Sequence, residues 1–406
     1  MSEFPLVKLS EVVRLNPRNP DVVPAETDLV TFIPMAAVEA ETGRFDGSET
    51  RVWSAVKKGY TRFQENDVLV AKITPCMENG KACVARHLEG LVGAGSTEFH
   101  VLRSITSKVE PEWILRFVNQ RCVRYEAKRH MSGAVGQQRV PASFYQDLQL
   151  PLPDLETQQE LLERLEDHDV KIDATERALF AIQTKLKQAR ASILKAAVEG
   201  RLVETDIPWS TKPLRELLAE PMRNGKSAKT STSGKGVRIA TLTAVTANQF
   251  TESNTKPADL DPSELDDLWL QPEDIFVQRS NAPELVGSSA MYSGQPNWAI
   301  FPDLLIRVRC SPEILPKWML TNLQAPSTRR YFKENAKCSS GSMPKISQSI
   351  IAEAVIACPS LKDQEATLEE IERRFSVLDQ VEATVNASLR RCGQLRQAML
   401  KSAFGG

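Results

Sequence analysis

The chain is short of the residues from which catalytic and metal centres are built. It holds four histidines, His87, His100, His130 and His168, and no pair of them has His-x-x-x-His or His-Glu-x-x-His spacing. Its seven cysteines (Cys76, Cys83, Cys122, Cys310, Cys338, Cys358 and Cys392) are scattered and include no Cys-x-x-Cys pair. That usage argues against a disulfide framework or a structural zinc site and predicts reduced, buried thiols in a cytoplasmic protein. Glycine-rich phosphate loops are missing too. Gly225-Lys226-Ser227 has the ending of one, but Glu220 stands where the first glycine belongs. Asn16-Pro17-Arg18-Asn19 lacks the second proline and the aromatic of an amino-methyltransferase motif, and no loop is suited to a methyl donor. Glu126-Ala-Lys128 has a nuclease-like shape without an upstream Pro-Asp, and reads as helical surface. No apolar run approaches the ~20 residues of a membrane span, and Met-Ser-Glu-Phe-Pro does not begin a signal peptide. No metal, cofactor or membrane partner is expected, and the chain reads as a binder, not a catalyst. Net charge is also lacking: 51 Lys and Arg face 52 Asp and Glu. A neutral total gives no pointer to nucleic acid, although it can hide a basic face.

What the chain does have is an internal repeat. A shift of 206 positions carries Leu155 and Gln158 onto Leu361 and Gln364, and Arg190-Ala-Ser-Ile-Leu-Lys onto Arg396-Gln-Ala-Met-Leu-Lys. The same shift pairs Arg124-Tyr125 with Arg330-Tyr331 and Arg139-Val140 with Lys345-Ile346. Farther upstream the register drifts by one, so that Asp67-Val-Leu-Val meets Asp274-Ile-Phe-Val and Pro111-Glu-Trp meets Pro316-Lys-Trp. A period this long exceeds the roughly 20–50 residues of solenoid repeats. It marks the duplication of a whole domain with its connector.

Each copy changes texture part-way. Residues 1–153 and 206–358 are rich in turn residues and short β-branched or apolar runs, such as Asp67-Val-Leu-Val-Ala-Lys-Ile and Leu304-Leu-Ile-Arg-Val, which read as strands. Stretches such as 112–131 read as helix, which makes these domains mixed α/β. Residues 154–205 and 359–406 instead carry a helical seam: Leu161, Leu165, Ile172, Leu179, Ile182, Leu186, Ala189, Ile193 and Ala197, interrupted only at His168 and Thr175. The second copy continues it with Ile371, Leu378, Val381, Val385, Leu395 and Met399. Spacing of three and four over several heptads predicts long coiled-coil helices, each on the order of 60 Å at 1.5 Å per residue. Each exposes a stripe whose natural partner is the other copy's helix. The expected fold is α+β with a pseudo-two-fold internal repeat: two mixed α/β domains and two long antiparallel coiled-coil helices. Segment 4–11 is expected beside the second helix, with residues 209–218 as its counterpart.

Four stretches in this order resemble the specificity subunits of type I restriction–modification systems. They are Asp67-Val-Leu-Val-Ala-Lys-Ile-Thr-Pro-Cys-Met-Glu-Asn-Gly-Lys81; Gly136-Gln-Gln-Arg-Val-Pro141 with Leu150-Pro-Leu-Pro-Asp-Leu-Glu-Thr-Gln158; the helix ending Ser192-Ile-Leu-Lys-Ala-Ala-Val-Glu-Gly-Arg-Leu202; and the recurrence of that ending at Met399-Leu-Lys-Ser-Ala-Phe-Gly. The second copy departs where Gln278-Arg-Ser-Asn-Ala-Pro-Glu-Leu-Val-Gly287 replaces the Lys-Ile-Thr-Pro stretch. The resemblance implies two target recognition domains, each reading one half of an asymmetric, split site on double-stranded DNA. The helices would serve as spacer and as docking surface for two copies of a modification (methyltransferase) subunit. A restriction (translocase/nuclease) subunit is an optional further partner. The chain itself would be non-catalytic and would not bind S-adenosylmethionine. The rival reading is a two-headed coiled-coil scaffold that binds proteins and no DNA.

Under the first reading, base edges are met by Arg, Lys, Asn and Gln in loops. The candidates are Lys72, Thr74, Asn79, Lys81, Gln137, Gln138 and Arg139 in the first copy, and Arg279, Asn281, Ser342 and Lys345 in the second. The basic runs with Arg124, Lys128 and Arg129, and with Arg330 and Lys333, are candidates for phosphate contact. Tyr125 and Tyr331 are expected to pack inside.

Overall fold

The computed structural model describes residues 4–105, 108–134, 136–204, 208–231, 236–337 and 343–405. The chain divides into two units, Met1–Leu179 with Ala387–Gly406, and Phe180–Asn386. Each unit therefore combines one globular part with a stretch of each of the two long helices, Leu155–Val198 and Leu361–Ala403.

In the first unit an antiparallel sheet runs in the order Val13–Leu15, Phe99–Ser104, Val68–Ala71, Ala82–Val84. Val68–Ala71 is buried on both faces, as its unbroken apolar run requires. Val68 and Val70 point into a core with Trp113 and Leu115 of helix Pro111–Val118, whereas Leu69 points the other way, towards Ile33 and Phe63. A second sheet, ordered Thr50–Val52, Leu29–Ile33, Val92–Gly95, Thr61–Gln64, contains one parallel pair, Leu29–Ile33 with Val92–Gly95. The second unit repeats this plan. Its main sheet is Arg223–Asn224, Leu305–Val308, Ile275–Gln278, Ser289–Met291, and Ile275 and Val277 pack towards Trp318 while Phe276 faces Phe301. Its second sheet is reduced. Val237–Ala240 pairs with Thr255–Ala258, and Ile300 supplies only single bridges, parallel to Ile239 and antiparallel to Trp269. The pairing directions match those of the first unit.

The joint between each globular part and its helix is the same. The fully buried amide of Gln158 accepts from Glu110 N (2.9 Å) and donates to Lys108 O (2.9 Å) and Pro153 O (2.8 Å). Gln364 accepts from Leu315 N (2.8 Å) and donates to Glu313 O (3.2 Å) and Pro359 O (3.1 Å). Trp113 and Trp318 close the joint from above, donating to Pro151 O and Ala357 O. Short edge strands complete it, Leu6–Lys8 on Gln149–Pro151 and Ser210–Pro213 on Val355–Cys358. In the first unit Phe404 of the second helix's end stacks against Trp113, and Val7, Leu9 and Met399 share one core. Asp154 Oδ1 caps the first helix by accepting from Thr157 N, and Ser360 Oγ caps the second by accepting from Asp363 N. Gly200, at φ +69°, ends the first with bonds back to Ala197 O and from Arg201 N to Ala196 O.

Within each unit the two helical stretches run antiparallel. Leu165 packs with Leu400 in the first unit, and Gln183 Nε2 donates to Asn386 Oδ1 in the second. Arg396 reaches Asp169 (3.2 Å), Asp173 (2.8 Å) and Glu176 (3.4 Å). Arg190 reaches Asp379 (2.6 Å) and Glu382 (2.7 Å). The seam departs from the apolar spacing at three positions. Ile182, Val381 and Leu395 lie exposed. Cys392 and half-buried Arg396 take the facing side near Leu395, because the acids on the opposite helix reward a cation there. Burial pushes the Cys83 and Cys310 thiols up to about 12, so both are inert. Cys122 departs from the expectation of buried thiols and lies exposed; Cys338 lies outside the described residues. No helix among the described residues is long and apolar enough to cross a membrane.

Replacing Gln158 by Leu would remove three hydrogen bonds, those to Lys108 O and Pro153 O and that from Glu110 N. Each contributes ~0.5–1.5 kcal/mol, so Gln158→Leu is expected to destabilise the first unit by about 2–4 kcal/mol. The neighbouring exposed Gln159→Leu is the control in chemical denaturation, and equal midpoints for the two variants would refute the joint's role.

Candidate nucleic-acid interface

The central strand of each main sheet runs out at its C-terminal end into a loop, and a second loop folds back beside it. In the first unit Lys72 N donates to Glu98 O and Val140 N donates to Lys72 O. Arg139 bridges both Ile73 and Ser132, and Thr74 N donates to Gln138 O. In the second unit Arg279 N donates to Leu304 O, Ile346 N donates to Arg279 O, and Lys345 bridges both Ser280 and Lys337. Segments distant in sequence thus form the same cradle twice. It brings Lys72, Thr74, Gln138 and Arg139 together in one unit, and Arg279 and Lys345 in the other.

The side chains on these cradles differ. Arg139 is held by a two-pronged pair with Glu98, Nε to Oε2 at 2.9 Å and Nη2 to Oε1 at 2.8 Å, and its Nη1 donates to Gln137 O. The guanidinium holds the Glu98 carboxyl below the usual carboxylate range. Thr74 Oγ1 donates to Glu78 (2.7 Å), which also takes Lys128 (2.8 Å), and Lys81 Nζ donates to Met35 O. Asn79 and Gln137 are exposed. Arg124, expected among the phosphate contacts, lies buried instead. Its guanidinium donates to Glu78 O (2.7 Å) and pairs with Glu41, so it holds the loop's base and does not face solvent. Arg129 pairs with Glu126 on its own helix.

In the second unit the exposed Arg330, Lys333 and Lys345 and the half-buried Arg279 have no acidic partner among the described residues. Asn281 Oδ1 accepts from Ala282 N. Ser342 lies outside the described residues. Tyr331 packs against the core, as expected, but Tyr125 stands exposed on helix Arg121–Arg129. That helix turns Val123, Arg124 and Ala127 inward, which leaves position 125 facing out.

His100 ties the cradle to the rest of its sheet, a role that its isolated position in the sequence did not reveal. Its Nε2–H donates to Val140 O (2.9 Å), and Nδ1 accepts from Asn16 Nδ2 (3.0 Å). This arrangement requires the neutral ring. Burial lowers the His100 pKa below its ordinary 6.5, against the opposing bond to Val140.

The first 184 residues match the family model of the type I restriction modification DNA specificity domain. The specificity subunit of the EcoEI type I restriction enzyme of Escherichia coli is 26% identical over 98% of this chain and 82% of its own length. That of the EcoKI enzyme of E. coli strain K12 is 30% identical over 72% of this chain and 65% of its own. The chain belongs to the family of type I restriction–modification specificity subunits. Two solved structures share the specificity-subunit fold. A chain from a structural study of type I restriction–modification assembly and conformational transition superposes with a TM-score of 0.73 at 16% identity, with full coverage of both chains. The HsdS subunit from Thermoanaerobacter tengcongensis gives 0.51 at 17% identity, covering 99% of this chain and 97% of that one.

Protonation of His100 breaks its bond from Asn16. Its folded-state pKa is depressed, so the unfolded chain takes up the proton first and stability falls as pH drops below about 6.5. The denaturation midpoint of the wild type should therefore fall between pH 6.5 and 5 more steeply than that of His100→Gln. Parallel pH curves for the two proteins would rule out this assignment.

Proposed function

We propose that this specificity subunit reads an asymmetric, bipartite DNA target, with residues 1–153 and 206–358 as recognition domains that each contact one half. The observation that carries this reading is the repeated cradle with unlike side chains. Two copies of one backbone arrangement present Lys72, Gln137, Gln138 and Arg139 in one case, and Arg279, Asn281 and Lys345 in the other. Equal scaffolds with different hydrogen-bonding groups fit two half-sites of different sequence. Arg330, Lys333 and Lys128 add phosphate contacts that carry affinity without sequence information.

The long helices, residues 154–205 and 359–406, set the unread gap in this reading and dock two modification subunits. Val170, Phe180 and Val377 support the docking role, because each is a large apolar side chain exposed on a long helix outside the seam. The chain supplies recognition and no catalysis. Its place is the cytoplasm, in a complex that a restriction subunit can join.

The test is to co-express the chain with its methyltransferase subunit and map methylated positions across a genome. The expected result is one interrupted, non-palindromic motif that depends on this chain. Arg139→Ala should relax one half-site and Lys345→Ala the other, each at a cost of about 1–3 kcal/mol of discrimination. A motif that persists without the chain would refute the reading and leave the scaffold alternative standing.

A further inference from the structure

Beside the first unit's cradle is a cavity of about 270 Å³ whose lining includes Asn16, Arg18, Tyr60, Thr61, Arg62 and Lys72. Three of these are cations, and no carboxylate lines the space. Arg62 Nη2 donates to Arg18 O (2.7 Å), which draws the two arginines to one rim and leaves the other guanidinium donors uncommitted. The side chains of Arg18 and Lys72 have no hydrogen-bond or ion-pair partner among the described residues. Lys72 does act electrostatically on Glu98, but that carboxylate is already gripped by Arg139. Three like charges around one cavity repel one another unless an anion sits between them.

The rim is built, not accidental. Asn16 takes a left-handed conformation (φ 49°), and its side chain is fixed by His100 and by Val101 N, so the turn that presents Arg18 is rigid. Tyr60 is fixed by its edge-on contact with Phe32, and the Tyr60 and Thr61 hydroxyls add donors at the rim. Planar guanidinium forks with hydroxyls and an ammonium suit a tetrahedral oxyanion. Lys72 belongs to both the cavity and the cradle, so the anion would lie next to the loops assigned above to base reading.

We propose that this cavity seats a phosphodiester of the DNA backbone, and that it does so in the first unit alone. Arg103 on Asp67 and Arg309 on Asp274 fix the common register of the two sheets, so Val101 matches Arg307. Asn16 lies opposite Val101 and Arg223 opposite Arg307, so Asn16, Pro17 and Arg18 correspond to Arg223, Asn224 and Gly225. In the second unit that turn is neutralised: Gly225 takes the place of Arg18, Arg223 pairs with Asp267, and the following Lys226 pairs with Glu264 (2.9 Å). The first unit therefore has a fixed phosphate anchor where the second has an internally paired surface. The proposal rests on the DNA-reading role given above, and the test separates the two.

The experiment uses the complex with its methyltransferase subunit and measures DNA affinity against salt for the wild type and for Arg18→Gln/Arg62→Gln. The variant should bind target and unrelated DNA about 3- to 10-fold more weakly, with a salt slope shallower by about 1. Its methylated motif should keep its sequence, and Arg18→Lys/Arg62→Lys should restore much of the slope. Unchanged affinity and slope in a variant with the wild-type melting temperature would overturn the anchor and leave the DNA-reading role intact. Inorganic phosphate tested alone is the second arm: phosphate binding lost in the variant with an unchanged DNA slope would assign the cavity to a free anion and overturn the proposal. A wild-type complex that binds no DNA would refute the underlying role as well.

Discussion

The structure depends on a reciprocal clamp between its long helices. Arg396 lies on the second copy's helix and binds Asp173 and Glu176 on the first; Arg190 lies on the first and binds Asp379 and Glu382 on the second. The shift that carries Arg190 onto Arg396 also carries Asp173 onto Asp379 and Glu176 onto Glu382. Each copy thus provides both halves of a lock and can close neither on itself. A helix with an apolar seam draws most of its stability from packing that seam, and each stretch finds its helical partner in the other copy. The ion pairs are partly exposed and contribute modestly to stability. Their value lies in register, because a one-turn slip would separate Arg396 from three acids at once.

The globular parts hang on this frame through Gln158 and Gln364. An amide in that position can accept one N–H and donate to two carbonyls, which is the set that the start of the neighbouring helix and the turn before the long helix leave open. No apolar residue could fill the space without stranding those groups. This explains why glutamine recurs with the 206-residue shift while its neighbours change. It also gives each globular part a defined orientation on its own helical stretch, which a device that presents loops to a ligand requires.

Much of this was legible in the sequence, and for identifiable reasons. The long helices were visible because burial against one partner imposes spacing of three and four. The central strands were visible because burial on both faces demands runs such as Val68-Leu-Val-Ala and Ile275-Phe-Val. Correspondences such as Arg139 with Lys345 survived because the backbone bridges that hold them are equivalent. What could not be read were contacts between segments remote in sequence that no repeat marks. Arg124 looked like a surface cation, yet Glu41 and Glu78 draw it inside. Tyr125 looked like packing, yet its helix turns the neighbouring positions inward. Arg18 and Arg62 are 44 residues apart, and only the fold brings them to one rim. The sequence Asn16-Pro-Arg-Asn offered a signal there, but it resembled the wrong motif.

The two cradles also differ in how freely their cations can act. Arg139 is committed to Glu98 through Nε and Nη2, whereas Lys345 has no acidic partner among the described residues. For the proposed reading of DNA this difference has consequences. A lysine extended into solvent meets any phosphate or guanine edge and loses side-chain entropy when it does. An arginine already fixed by a carboxylate has lost that freedom in advance, and its preorganised fork costs less to use. The carboxylate beside it repels phosphates and can accept from an amino group such as that of cytosine. Glu98 therefore turns a general cation into a selective pair of groups, donor and acceptor side by side. In the first unit this pair sits next to the cavity of Arg18, Arg62 and Lys72, so affinity and selectivity fall to adjacent sets of residues that meet at Lys72. In the second unit the exposed cations must do both, which makes its contribution the more dependent on salt.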